Sequence, residues 1–307
     1  MTFKHKSVLL NESINLLNIK KDGIYIDATL GGGGHSSLIL EKLSSEGLLI
    51  GIDSDNEAIN FCMKKFENND NVILVNENFS KIDDILLKLG IDKVDGIIAD
   101  LGVSSYQIDE KERGFSFGKE ARLDMRMDKR LEVSAYDVVN NFSLEELEYI
   151  FKNYGEEKKS KLIAREIIKQ RSIKPVETTL ELASIAEKFN KKNQKIHPAT
   201  RIFQGLRIFV NNELGSLEDF LEKSIKVLKK DGIIVCISFH SLEDRIVKQF
   251  FKKKSLLCIC PPELFQCTCN HKPDLKILTS KPIISLEDEL KDNPRARSAK
   301  LRGACKL

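Results

Sequence analysis

The chain has 307 residues, enough for about two domains by the usual size of a folding unit, and 41% of them are hydrophobic, enough for a sizeable core. A formal net charge of +3 says little about nucleic acid, so any basic surface must be local. MTFKHKSVLLNES at the start lacks the apolar run of a signal peptide, no segment approaches the roughly 20 apolar residues of a membrane span, and seven cysteines argue by their odd number against a disulfide framework; the expectation is a cytoplasmic chain with no membrane partner. In chain order, apolar runs of strand length then alternate with helix-period segments: GIYIDATL, HSSLILEKL, LLIGID, NEAINFCMKKF, NVILVNENF, KIDDILLKL and VDGIIADLG. This βαβαβαβ order predicts a parallel sheet with helices on both faces and right-handed crossovers. After about residue 106 the alternation stops, and SLEELEYIFKNYG, EEKKSKLIAREIIKQR, TTLELASIAEKF and ATRIFQGLRIFVNNEL all carry apolar residues at helical spacing. A helical domain is therefore expected over 107–212, inserted into a sheet domain made of 1–106 and 213–307, where SLEDFLEKSIKVLKK and DGIIVCISFHS resume the β/α pattern.

In a parallel α/β sheet, ligands sit outside the carboxyl ends of the strands, so the informative residues are those where each apolar run stops. The first stop is IDATLGGGGHS, with four consecutive glycines after Asp27. A flexible turn needs only one or two, and so long a run carries an entropic cost that points to close approach of a ligand to the backbone. A P-loop is excluded because no Lys followed by Ser or Thr closes the run. A dinucleotide is disfavoured, since Ser36 stands where a third glycine would let strand and helix pack. S-adenosylmethionine fits the D-x-x-x-G-x-G spacing of Asp27, Gly31 and Gly33. Asp53 ends the second strand, where such folds hydrogen-bond a ribose, although Asp and Ser are equally at home in a helix cap. Phe79, after the third strand, is either a core aromatic or a surface for adenine. Asp100 ends the fourth strand and is either a turn acid or an acceptor for an amino group awaiting methylation.

Other features are less specific. Between 150 and 175 eight Lys or Arg face three Glu, and between 188 and 207 six face none; this is an RNA footprint or a solvated helix face. NPRARSAKLR near the end alternates basic residues as a strand would, which puts Arg295 and Arg297 on one face. Cys258, Cys260, Cys267 and Cys269 form two C-x-C pairs, but zinc sites usually place two to four residues within a pair, so the expectation is no metal. His240 and Ser241 follow the fifth strand at a carboxyl end, with no role that the sequence defines.

The chain resembles the bacterial 16S ribosomal RNA (cytosine-N4)-methyltransferase family over nearly its whole length. The resemblance rests on HKSVLLNES, YIDATLGGGGHS, GIDSD, NFSKI, ADLGVSSYQID with RGFSF and LDMRMD, HPATRIFQGLRIFVNNEL, ISFHSLEDR and NPRARSAKLR. Two departures stand out: Ser7-Val8-Leu9-Leu10 replaces a usual Pro-Val-Leu-Leu, and Gly205 replaces an expected Ala, which weakens a helix by up to about 1 kcal/mol. The resemblance implies an α/β class I S-adenosylmethionine-dependent methyltransferase with a Rossmann-like sheet and an inserted helical domain for substrate recognition. It implies methylation of a cytosine N4 in the decoding centre of 16S rRNA within the small ribosomal subunit, and leaves a homodimer open. Its cofactor contacts carry over to Gly33, Gly34, His35, Asp53, Phe79, Asp100 and Gln107; from its place at the end of the fourth strand, Asp100 is also expected to be the catalytic acceptor. Two rival readings are a Rossmann oxidoreductase, favoured by Asp53 and opposed by Ser36, and a non-catalytic RNA-binding protein holding S-adenosylmethionine structurally.

Overall fold

Runs such as Ile24–Asp27 and Val94–Asp100 are apolar almost throughout, as strands covered on both faces require. In the computed structural model, which describes residues 7–189, 196–258, 260, 268–269 and 271–307, they join one sheet. Among the described residues its strands are β1 Ile24–Asp27, β2 Leu48–Asp53, β3 Val72–Asn76, β4 Val94–Asp100, β5 Leu228–Ser238, β6 Leu275–Ile277 and β7 Lys300–Lys306. Their order is β3-β2-β1-β4-β5-β7-β6, with β1 to β5 parallel and β7 antiparallel to both its neighbours. The chain runs outward from β1 through β3 and then crosses back to β4, so the order reverses between β1 and β4, where such sheets open a crevice.

Alternation of side chains along each strand serves two cores. Ile50, Ile52, Ile97 and Ala99 pack with Phe220, Leu221 and Val247 on one face, whereas Leu49, Ile98, Val235 and Ile237 pack with Ile14, Leu17 and Ile39 on the other. The sheet unit comprises Met1–Gly102 with Leu214–Leu307, and Val103–Glu213 forms a second unit. No described helix is long and apolar enough to cross a membrane.

The second unit is helical, with Ala135–Asn141, Leu144–Asn153, Ser160–Arg171, Thr179–Glu187 and Ala199–Val210 around Leu147, Phe151, Ile163, Leu182 and Leu206. Capping boxes start several of these helices: Ser134 with Asp137, Ser143 with Glu146, and Thr178 with Glu181 satisfy first-turn amides that have no intrahelical partner. Gly205 lies in Ala199–Val210 where a Cβ would come within 3.1 Å of both Gly155 N and Ile150 O, so its helix-weakening effect accompanies a close backbone approach.

Two local readings of the sequence are corrected. The helix ending in KVLKK stops at Val227 and β5 begins at Leu228, because Leu228 pairs with Val94 beyond a register shift. Arg295 and Arg297 are not in a strand: Pro294–Ser298 is a 3-10 turn with Pro294 in its first positions, and β7 starts only at Lys300. At about three residues per turn, positions two apart do not share a face there.

Candidate functional site

Three acids stand where parallel strands end: Asp27 on β1, Asp53 on β2 and Asp100 on β4. Their environments give them different tasks. Asp27 is buried and holds the glycine turn together, since Ser36 Oγ donates to its Oδ2 at 2.7 Å and Thr29 N to its Oδ1 at 3.2 Å. Burial raises its pKa, partly offset by those bonds.

The turn itself uses its glycines. Gly31 and Gly33 have φ of 48° and 66°, a left-handed backbone that other residues adopt with strain. A Cβ on Gly33 would meet the Phe66 ring at 2.9 Å, and one on Gly34 would displace the Ser7 hydroxyl, so both positions are closely packed. Lys65 Nζ donates to the carbonyls of Gly32 and Gly33 at 2.9 and 2.8 Å and pins the turn from the following helix. The turn carries into helix Gly34–Leu40, whose first residues are Gly34 and His35.

Asp53 joins this turn to β2. Its Oδ2 accepts Gly31 N and its Oδ1 accepts Asp55 N, both at 2.8 Å. The cap of helix Asn56–Lys65 is Asp55, which accepts Glu57 N at 3.0 Å, so Asp53 is not the capping acid. Each Asp53 oxygen uses one lone pair on these amides and keeps another for a hydroxyl donor. Burial raises its pKa to about 7 against the pull of the two amides.

Asp100 has a carboxyl oxygen in need of a partner. Its backbone N donates to Thr29 Oγ1 at 2.6 Å, but its Oδ1 is buried with no hydrogen-bond partner in the structure. Burial comes first in raising its pKa well above the ordinary value, followed by the negative charges of Asp27, Glu243 and Glu289. His35 lies beside it and is buried; desolvation lowers its pKa to about 4, so the ring is neutral near pH 7. Phe79 opens the 3-10 turn Phe79–Lys81, half-buried, with its ring edge-to-face against Phe220 at 5.0 Å. Both of its readings remain compatible with this placement, as a half-buried ring packs on the core and still presents surface.

Gln107 belongs to the second unit, where it is buried and forms a capping box with Ser104 at the start of helix Ser105–Asp109. His240 caps helix Ser241–Lys254 in the same way, its ring accepting Glu243 N at 3.4 Å while the Glu243 carboxylate accepts His240 N at 3.3 Å and also Phe239 N at 2.8 Å. That gives His240 a structural task the sequence left undefined. Thr29, Lys65, Glu243 and Glu289 were not singled out by sequence reasoning, and Ser36 entered it only as an obstacle to a dinucleotide. They act on the site through contacts distant in the chain, which no local pattern signals.

A 3-2-1-4-5-7-6 sheet with one reversed strand, a cramped glycine turn after β1 and carboxylates ending β2 and β4 define a class I S-adenosylmethionine-dependent methyltransferase. The family model described as the MraW methylase family matches residues 2–307, and the chain belongs to that family. It is similar to proteins named ribosomal RNA small subunit methyltransferase H. The one from Clostridium botulinum (strain Loch Maree / Type A3) is 54% identical over 309 residues, with 100% of both chains covered. That of Caldicellulosiruptor bescii is 52% identical over 306 residues, covering 99% of this chain and 100% of the relative. That of Clostridioides difficile is 50% identical over 311 residues, with full coverage of both. The glycine turn with left-handed Gly31 and Gly33, the Asp53 oxygens with lone pairs to spare and the unsatisfied Asp100 oxygen fit S-adenosylmethionine, the cofactor of this class.

Proposed function

We propose that this chain transfers the methyl group of S-adenosylmethionine to the exocyclic N4 of a cytosine in the decoding centre of 16S ribosomal RNA, within the small subunit. The observation that carries the reading is Asp100 Oδ1, a buried oxygen at the end of β4 that lacks a donor. Such a group is expected to find a partner in function, and an amine is a donor of the right kind. The name shared by the curated relatives supports small-subunit ribosomal RNA as the substrate. Cofactor binding is assigned to Gly33, Gly34, His35, Asp53, Phe79 and Asp100, and Gln107 is added on family resemblance alone.

The cofactor supplies an electrophilic methyl on a sulfonium. The lone pair of a cytosine N4 is delocalised into the ring, so the amine is a weak nucleophile until its protons are held and one is removed. Asp100 Oδ1 accepts an N4 proton as the new bond forms, and the raised pKa of this carboxyl suits a group that must take it. Positioning supplies most of the remaining rate. A cytosine paired in a helix has its amine engaged, so the nucleotide must be unstacked or single-stranded to reach the acid. RNA is held, on this reading, by the helical unit, where Lys161, Arg165 and Lys169 are exposed at spacings that share one side of helix Ser160–Arg171 and Lys158 is exposed just before it.

The test is incubation with methyl-labelled S-adenosylmethionine and immature small subunits, followed by digestion to nucleosides. Label in N4-methylcytidine at a single site is expected. Label in another nucleoside, or transfer to protein only, sinks the reading.

A further inference from the structure

The segment between helix Ser241–Lys254 and β6 contains no helix or strand among its described residues. Its two ends are tied, with Asp274 N donating to the Lys254 carbonyl at 2.8 Å. The described cysteines of this connection are brought together in space.

The sulfurs of Cys258, Cys260 and Cys269 all lie within 4.8 Å of one another. Cys258 and Cys269 Sγ are 3.8 Å apart. Zinc–thiolate bonds of about 2.3 Å in a tetrahedron put ligand sulfurs about 3.8 Å apart along each edge. A disulfide needs about 2.05 Å between sulfurs and joins only two of the three. Backbone amides are also aimed at the sulfurs: Thr268 N donates to Cys260 Sγ and Cys260 N to Cys258 Sγ, each at 3.4 Å. Such amide contacts favour the thiolate, the form that binds metal.

We propose that Cys258, Cys260 and Cys269 are ligands of a structural zinc ion that fastens the connection between Lys254 and Asp274. This reverses the expectation drawn from sequence. That expectation counted residues within each C-x-C pair, whereas the cluster is made across the connection by bringing Cys269 back to Cys258 and Cys260. Cys267, the remaining cysteine of the stretch, lies outside the described residues. The fourth coordination position is therefore left to a donor beyond these three sulfurs.

The experiment uses the full chain, purified in reductant, loaded with zinc and freed of excess by gel filtration. Metal analysis should give one zinc per chain, and cobalt in its place should show thiolate-to-metal charge-transfer bands with the intense d–d absorption of tetrahedral geometry. Cys258→Ser, Cys260→Ser and Cys269→Ser should each lose retained metal, while Cys305→Ser, in β7, should keep it. Cofactor binding by each variant, read by calorimetry, reports that the sheet unit is folded. A wild-type chain whose thiols titrate as reduced and which retains no zinc overturns the proposal. So does cobalt bound without thiolate bands, a measurement that needs no variant to fold.

Discussion

Nδ1 of His35 faces Oδ2 of Asp100 at 3.9 Å, yet the two do not form an ion pair. The other ring nitrogen, Nε2, lies 3.2 Å from the Val8 carbonyl, and a carbonyl can only accept, so the ring proton resides on Nε2. Nδ1 then turns a lone pair toward the carboxyl and offers no positive charge to keep Asp100 ionised. Burial of His35 and the raised pKa of Asp100 are thus two sides of one arrangement.

The stability of the protein should record this histidine. Its folded pKa is about 4, below the ordinary 6.5, so the unfolded chain takes up a proton that the native state refuses. The His35 contribution is fully present above about pH 6.5 and is lost as pH falls toward 4. His35→Gln retains an amide donor for Val8 without the titration. Its stability deficit relative to wild type, measured from urea midpoints, should shrink by about 2 kcal/mol between about pH 7.5 and 5. A deficit that stays constant over that range would mean the ring is protonated in the native state.

Asp53 predicts the pH dependence of cofactor affinity with the opposite chemistry. Its pKa is raised to about 7, so below that value the free enzyme carries a proton where a ribose hydroxyl needs an acceptor. Affinity should fall up to about tenfold per pH unit from 7 toward 5, level off above about 8, and be accompanied by proton release on binding near neutrality. Calorimetry in buffers of different ionisation enthalpy reads both quantities. Asp53→Asn should bind weakly at every pH, and a wild-type affinity that does not change with pH would remove Asp53 from the ribose.

How much of this was legible in the sequence depends on whether the relevant contact is local. Strand ends are local, because an apolar run stops at an acid, and Asp27, Asp53 and Asp100 do end β1, β2 and β4. Whether Asp53 serves a helix cap or the ligand end of the sheet was not, since its carboxylate is held by Gly31 N, 22 positions away in the chain. Gly205 reads as a defect in a helix until Gly155 is brought against it. Which charges of a basic cluster are engaged is non-local for the same reason. Lys159 lies in the first of them, but its Nζ donates to the Phe189 carbonyl, and Arg171 is bound to the carbonyls of Val139 and Phe142 at 2.7 and 2.6 Å. In the second, Lys188 pairs with Glu166 and Arg207 with Glu213, both at 2.8 Å, while Lys191, Lys192 and Lys195 lie outside the described residues.

Those engagements decide which charges to remove in testing RNA binding. Lys158, Lys161 and Arg165 are exposed, so replacing all three with Gln should leave the helix folded and cofactor affinity unchanged. If each contacts a phosphate of single-stranded RNA, the slope of log affinity against log salt should flatten by about 2 in total. Binding of immature subunits measured over a salt series gives the slope. An unchanged slope would make this side of Ser160–Arg171 a solvated surface.

Asp53 and Asp100 finally separate when each is replaced in the same assay. Asp53→Ala removes charge-assisted hydrogen bonds of about 1.5–3 kcal/mol each, so cofactor affinity should drop about 10- to 100-fold per bond while turnover at saturating cofactor changes less. Asp100→Asn keeps the shape of the side chain but replaces an anionic acceptor with an amide carrying two donors of its own, one of which can face the cytosine amine. Turnover should then collapse and stay low when cofactor saturates, as for an interaction made chiefly in the transition state. The pH profile adds a second signature. With its pKa raised by burial and by Asp27, Glu243 and Glu289, the wild-type carboxyl must lose its proton before it can accept one, so single-turnover methylation should rise with pH through that ionisation. Asp100→Asn should lack this rise, because nothing at that position titrates. Wild-type turnover by Asp100→Asn at saturating cofactor would leave Asp100 a cofactor ligand only, and the amine acceptor would have to be sought elsewhere.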